Sequence, residues 1–276
     1  MSKKLIKFIR YDMKNGLLRK WAVYLFTVVA VLVATQSIYI VYRDKGASID
    51  YIFGIFVGLP KYYISPETAF NVPFIWFVFM IIPAFLIGDY AVSDLNAYGI
   101  QLIVKSRSKI SWWISKTIWC ITSVVVYFAI IILVLGIYGH LEGKAFSEGT
   151  DTWCYIVGMY EELEMSTLVI HGIIGPFITI LAMCMLQMVL SLYFGSLIAY
   201  VIVIAYDILS AYITYPIFIG NYAMLFRNDM YVADGLDFRF GMIIEALVIV
   251  ASFVAGVIIM KKTALFKYSK NNGALI

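Results

Sequence analysis

Charge is scarce in this chain: Asp, Glu, Lys and Arg make up 14% of its 276 residues, while hydrophobic side chains make up 63%. A soluble domain carries about 25% charged residues, so too little polar sequence remains to clothe a water-exposed core, and a soluble enzyme is excluded. Cysteine is almost absent. Of the three, Cys120 and Cys184 fall in apolar runs and Cys154 in a polar segment, which argues against an internal disulfide framework. The two histidines, His140 and His171, stand in no CxxC or HExxH pattern, so no metal site is expected. The chain also lacks a GxxxxGK[ST] phosphate loop. It has no polar stretch long enough to house a nucleotide-binding domain.

What the chain has in quantity is long apolar runs. A membrane-spanning helix needs about 20 predominantly apolar residues to cross a hydrocarbon layer roughly 30 Å thick. Six stretches meet that length, at about 21–41, 71–87, 117–138, 167–192, 196–219 and 240–260. The fourth and fifth come from one run that carries a single charge, Asp207, and is too long for one crossing; Gly195 and Ser196 allow it to turn. Tyr51 to Leu59 is apolar but too short to span, and reads as a re-entrant or interfacial element. The expected fold is an all-α polytopic membrane protein: an amphipathic interfacial helix over 1–20, then a six-span domain over 21–276.

Orientation follows from the basic residues. Fifteen of the 21 lysines and arginines lie before the first span, between the second and third, or in the tail. By the positive-inside rule those segments are cytoplasmic, which places both termini inside the cell and the protein in the plasma membrane. Twelve of the 17 acids fall on the opposite side, six of them between Gly139 and Ser166. The net charge of +4 is the small difference between a basic and an acidic face, and gives no reason to expect nucleic acid.

Two cytoplasmic segments carry the mechanistic signal. In the first twenty residues Leu5, Ile9, Met13 and Leu17 recur every fourth position while Lys3, Lys7, Arg10 and Lys14 take another face, the pattern of a helix lying on a membrane surface. The second is the connection 88–116, GDYAVSDLNAYGIQLIVKSRSKISWWISK, too long and structured for a simple turn. Asp89 and Asp94 precede a short helix, Gly99 interrupts it, Leu102 to Val104 follow, and Ser106 to Lys109 lead into Trp112, Trp113 and Lys116.

Asp94, Gly99, the apolar triplet, the serine-basic run and Lys116 stand in the order found after the second span in permease subunits of type-2 ABC transporters, and the chain resembles that family. It departs in having Asp94 where glutamate is commoner and no proline in the serine-basic run. The resemblance implies the membrane half of an exporter whose energy comes from a separate cytoplasmic ABC ATPase. It also implies pairing with a second copy or a paralogous permease, and a coupling helix in 88–116 that uses Asp89, Asp94, Gly99 and Arg107. No cofactor is then bound by this chain, and ATP and Mg belong to the partner. Peptide toxins or antimicrobial peptides are the cargo suggested by the short polar connection ahead of the last span.

Two ionisable residues fall inside spans, Asp207 and Glu245. Each costs about 2.5–3.5 kcal/mol at the bilayer centre on insertion scales. They are candidates for a translocation path suited to a cationic or amphipathic substrate, or else Asp207 is satisfied by a hydroxyl of a neighbouring helix and Glu245 reaches the outer water. An ion-coupled secondary transporter using Asp207 is the competing function. An intramembrane protease built on Glu161 and Glu162 is disfavoured, because residue 166 is Ser where that class carries Arg.

Overall fold

The computed structural model describes residues 3–42, 48–62, 70–143, 165–229, 231–232 and 234–262. These residues are mostly helical, and among them the only β feature is an isolated bridge between Asn228 and Leu236. Five helical stretches are long and apolar enough to cross a membrane: Lys4–Ile40, Phe74–Asn96, Lys109–Leu141, Ile170–Phe194 and Phe238–Lys262. The protein is a helical membrane protein. Most of the acidic segment expected on the outer side, 144–164, and the tail after Lys262 lie outside the described residues.

In chain order the helices are α1 (Lys3–Asp12), α2 (Trp21–Tyr42), α3 (Ser48–Phe56), α4 (Phe74–Ile87), α5 (Tyr90–Asn96), α6 (Tyr98–Ser106) and α7 (Lys109–Leu141), followed by α8 (Met165–Val169), α9 (Gly175–Phe194), α10 (Ser196–Tyr212) and α11 (Phe238–Lys262). A π turn (Met13–Leu17) and a 3-10 turn (Leu18–Lys20) carry α1 into α2. Local chemistry sets several ends. Ser108 caps α7 by accepting the Ser111 N–H at 3.3 Å, so that helix starts at Lys109 and not at residue 117. Asp237 accepts the Phe240 N–H at 3.0 Å at the head of α11. Gly195, at φ +86°, makes the turn between α9 and α10 in a region that other residues enter only with strain.

The fifth expected span, 196–219, is shorter than its apolar run. α10 stops at Tyr212 after 17 residues, roughly 25 Å of helix against the roughly 30 Å needed. Pro216 has no N–H to donate and pushes Tyr215 out of the helical region. The chain folds back instead, and the Asn221 side-chain amide donates to the carbonyls of Ile213 and Tyr215 at 3.0 and 3.2 Å. Tyr51 to Leu59 also resolves: α3 buries Ile52, Ile55 and Phe56, and Phe56 stacks on Phe128 of α7 with ring centroids 6.0 Å apart.

α7 and α9 form the centre of the bundle. α9 packs against α4, α7, α10 and α11, and α7 against α1, α2, α3 and α11. Trp76 and Phe79 of α4 and Trp119 and Tyr127 of α7 are all fully buried in the core around them. Pro83 interrupts the hydrogen bonding of α4, and the Phe79 carbonyl it cannot serve accepts the Tyr127 hydroxyl at 2.9 Å. On the outside, Phe240, Ile243, Leu247, Val250, Val254 and Ile258 run as one exposed apolar stripe along α11. A surface of that kind is stable against lipid or another apolar helix.

Long-range polar contacts gather at the two ends of this bundle. At one end Lys4 reaches the Ser106 carbonyl and Lys20 pairs with Asp89. At the same end the Trp113 indole, in the first turns of α7, donates to the Phe253 carbonyl of α11 at 3.0 Å. At the other end Tyr138 donates to Gln36, and Arg227 to the Leu59 carbonyl at 3.0 Å.

Candidate functional site

Trp112, Ser115 and Lys116 are spaced i, i+3 and i+4, so α7 presents all three on one face near its N-terminal end. Two carboxylates meet that face. Lys116 Nζ lies 2.7 Å from Asp94 Oδ2 of α5 and also bonds Asp12 Oδ1 of α1. Asp12 accepts in addition from the Ser115 hydroxyl and, at 2.8 Å, from the Tyr90 hydroxyl; Asp94 accepts from the Trp112 indole N–H at 2.8 Å. The ammonium sits over the Tyr90 ring, 4.1 Å from its centroid. Lys116 is 0% exposed and Asp12 1%.

Charges removed from water in this way need complete hydrogen bonding, and removing one member of such a group costs about 3–5 kcal/mol. Glycines bring the parts close enough. A Cβ on Gly99 would stand 2.3 Å from Asp94 Oδ2, and one on Gly16 would stand 2.5 Å from the Trp119 indole nitrogen. The junction therefore fastens the N-terminal helix, the connection after α4 and the head of α7 to one another.

The structure distributes the expected coupling residues unequally. Asp94 and Gly99 come together, but both are buried and face α7. Asp89 is exposed and pairs with Lys20 at 3.0 Å. Arg107 is exposed at the end of α6, where it takes φ +54° and donates its backbone N–H to the Ile103 carbonyl at 2.8 Å. What faces outward is the other side of α6: Tyr98, Gln101, Val104 and Lys105. Tyr98 is braced by Tyr11 of α1, whose ring stacks on it at 5.7 Å.

Sequence reading missed Asp12, Tyr90 and Trp112 as partners of this group, and placed Lys116 in a loop. Two signals were available. Asp12 is the only acid among the first twenty residues, and Lys116 interrupts a tryptophan-rich apolar run.

The two intramembrane carboxylates are separate from the junction. Glu245 of α11 is fully buried and accepts from the Thr179 hydroxyl of α9, so it does not reach outer water. Asp207 of α10 is 1% exposed, and neither of its oxygens has a hydrogen-bond partner among the described residues. A carboxylate left bare in this way carries a large desolvation cost. Past the end of α10, Arg227 is caged by oxygen atoms: the carbonyls of Ser210, Ala211 and Leu59 and the side chain of Asn221. It caps the last turn of α10. Burial pushes its guanidinium down to about 10.

A family model described as "Protein of unknown function (DUF2705)" matches residues 25–266. No curated protein and no solved structure matches the chain.

Proposed function

The chain belongs to the DUF2705 family, and from that premise we propose that it is the permease subunit of an ATP-driven exporter of the type-2 ABC class. It forms the translocation path and draws its energy from separate cytoplasmic ABC ATPase subunits. It works in the plasma membrane with both termini cytoplasmic, beside a second copy or a paralogous permease. ATP and Mg are held by the ATPase, since this chain has no phosphate loop. The cargo is a cationic or amphipathic peptide.

The observation that carries this reading is the shared ammonium of Lys116. Because it holds Asp12 and Asp94 together, a displacement of the α5–α6 connection is delivered to α1 and α7 at once. Such a junction suits a two-state rocking of the spans driven by closure of partner domains. In this reading the ATPase contacts the outward face of α6, at Tyr98, Gln101 and Val104, and Asp94 acts behind that face by positioning it.

The experiment is co-purification. The tagged wild-type chain retains an ABC ATPase subunit, and Val104→Arg, which changes only an exposed side chain, releases it. Retention of the ATPase by Val104→Arg, together with unchanged transport, overturns the docking face.

The bare carboxylate of Asp207 favours a second reading, an ion-coupled secondary transporter in which Asp207 carries the coupling proton or cation. Collapsing the ion gradient while ATP is maintained stops that transporter and leaves an ATP-driven exporter running.

A further inference from the structure

A cleft of about 470 Å³ opens between α1 and α6. Its rim carries three lysines: Lys4 and Lys7, one helical turn apart on α1, and Lys105 on α6. Its walls include Phe8, Tyr11 and Leu102. Among the described residues no carboxylate lines it, and Asp12 and Asp94 are paired with Lys116. Lys4 is steadied at the rim by donating to the Ser106 carbonyl at 2.9 Å. Lys7 and Lys105 are exposed.

We propose that this cleft binds the phosphate head group of an anionic phospholipid, with the phosphate among the three ammonium groups and the glycerol and first methylenes against Phe8 and Leu102. The charge arrangement selects an anion. The surroundings select a lipid over a soluble phosphate, because a large apolar side chain, Ile6, stands 40% exposed next to Lys7. Side chains of that pairing rest stably at a membrane interface. α1 also runs on through its π and 3-10 turns into α2, whose first turns expose Trp21, Leu25 and Phe26. The proposal rests on the protein being a membrane protein and is independent of the exporter reading. A lipid seated there would bridge α1 and α6 on the surface, as Lys116 bridges their neighbourhood in the interior.

The test is a lipid titration of the full chain in a neutral detergent, followed by native mass spectrometry, with phosphatidylglycerol, phosphatidylcholine and inorganic phosphate as separate probes. The wild type should take up one phosphatidylglycerol well before any phosphatidylcholine, and inorganic phosphate should not displace it. An anionic surface gives roughly fivefold in affinity per lysine, so Lys7→Gln/Lys105→Gln should weaken that first site by roughly twenty-fivefold. Arg10→Gln/Lys14→Gln, which removes as much charge from exposed positions of the same segment, should leave it in place. Equal loss in both variants, retention in Lys7→Gln/Lys105→Gln, or equal uptake of phosphatidylcholine overturns the site. Displacement by inorganic phosphate at matched concentration overturns the lipid assignment.

Discussion

Asp12 and Asp94 lie on different helices, far apart in sequence, and are held by the same ammonium, that of Lys116. The pair outnumbers its cation, so the arrangement depends on the hydroxyls of Tyr90 and Ser115 and the indole of Trp112 to complete it.

Removing the cation should therefore be worse than removing the whole group. Lys116→Met leaves two buried carboxylates facing each other and should cost about 3–5 kcal/mol, read as a marked drop in Tm in detergent. Lys116→Met with Asp12→Leu and Asp94→Leu should regain much of that loss, because apolar replacements of similar volume need no partners. A triple variant no more stable than Lys116→Met would show that the ion group is not the source of the stability.

Mutations in the connection should separate by face. Asp94→Asn strips a charge from the junction and should lower Tm, while Gln101→Arg changes only an exposed position and should leave stability within about 0.5 kcal/mol of wild type, with Tm nearly unchanged. Under the exporter reading it is Gln101→Arg that loses the ATPase in pull-down. Equal binding by wild type and Gln101→Arg would move the contact off this face.

Gly256 on α11 has no room for a side chain: a Cβ there would stand 2.0 Å from the Trp113 ring. Gly256→Ala should destabilise the packing of α7 on α11 by about 1–3 kcal/mol, as overpacked sites do. Trp113→Leu should relieve the overlap, so the double variant should melt above the sum of the single losses. Strict additivity in that cycle would remove the contact as the cause.

Asp207 offers opposite outcomes for stability and function. Its oxygens have no partner among the described residues, so Asp207→Asn should hold or raise Tm. If Asp207 binds cargo or a coupling ion, the same variant should lose transport. Unchanged transport at normal expression would leave this carboxylate without a role in the path.

Topology is checked by thiol labelling in a background with Cys154 replaced by Ser, Cys120 and Cys184 being buried. Cysteines at the exposed positions Glu142 and Asp234 should react with an impermeant reagent in intact cells, and one at Gln101 should react only after lysis. Labelling of position 101 in intact cells would invert the orientation.

The long helices were legible because their composition leaves few alternatives: α2 and α11 follow the apolar runs to within a turn or so, the run 167–192 is helical but divided by a π turn at Ile170–Ile174 so that α9 starts only at Gly175, and Ser108 extends α7 backward. The turn at Gly195 was legible from its residue type. α10 was less so, because the apolar run continues past the helix and only Pro216 marks the stop. The junction was least legible. Its parts occur in three separate segments, and one-dimensional patterning placed Asp94 on a partner-facing surface when its hydrogen bonds turn it inward. Short polar segments between spans leave the facing of each side chain to tertiary contacts that no local periodicity records.

The proline gap in α4 has a mechanical consequence. A helix that has lost an internal hydrogen bond bends more easily at that point, and here the missing bond is replaced from outside, by the Tyr127 hydroxyl of α7. The stiffness of α4 is thus set by its neighbour. Bending at Pro83 must stretch the Tyr127–Phe79 bond or carry α7 with it, so the joint works as a clutch: engaged, it makes two helices move as one, and Tyr127→Phe would let them slip.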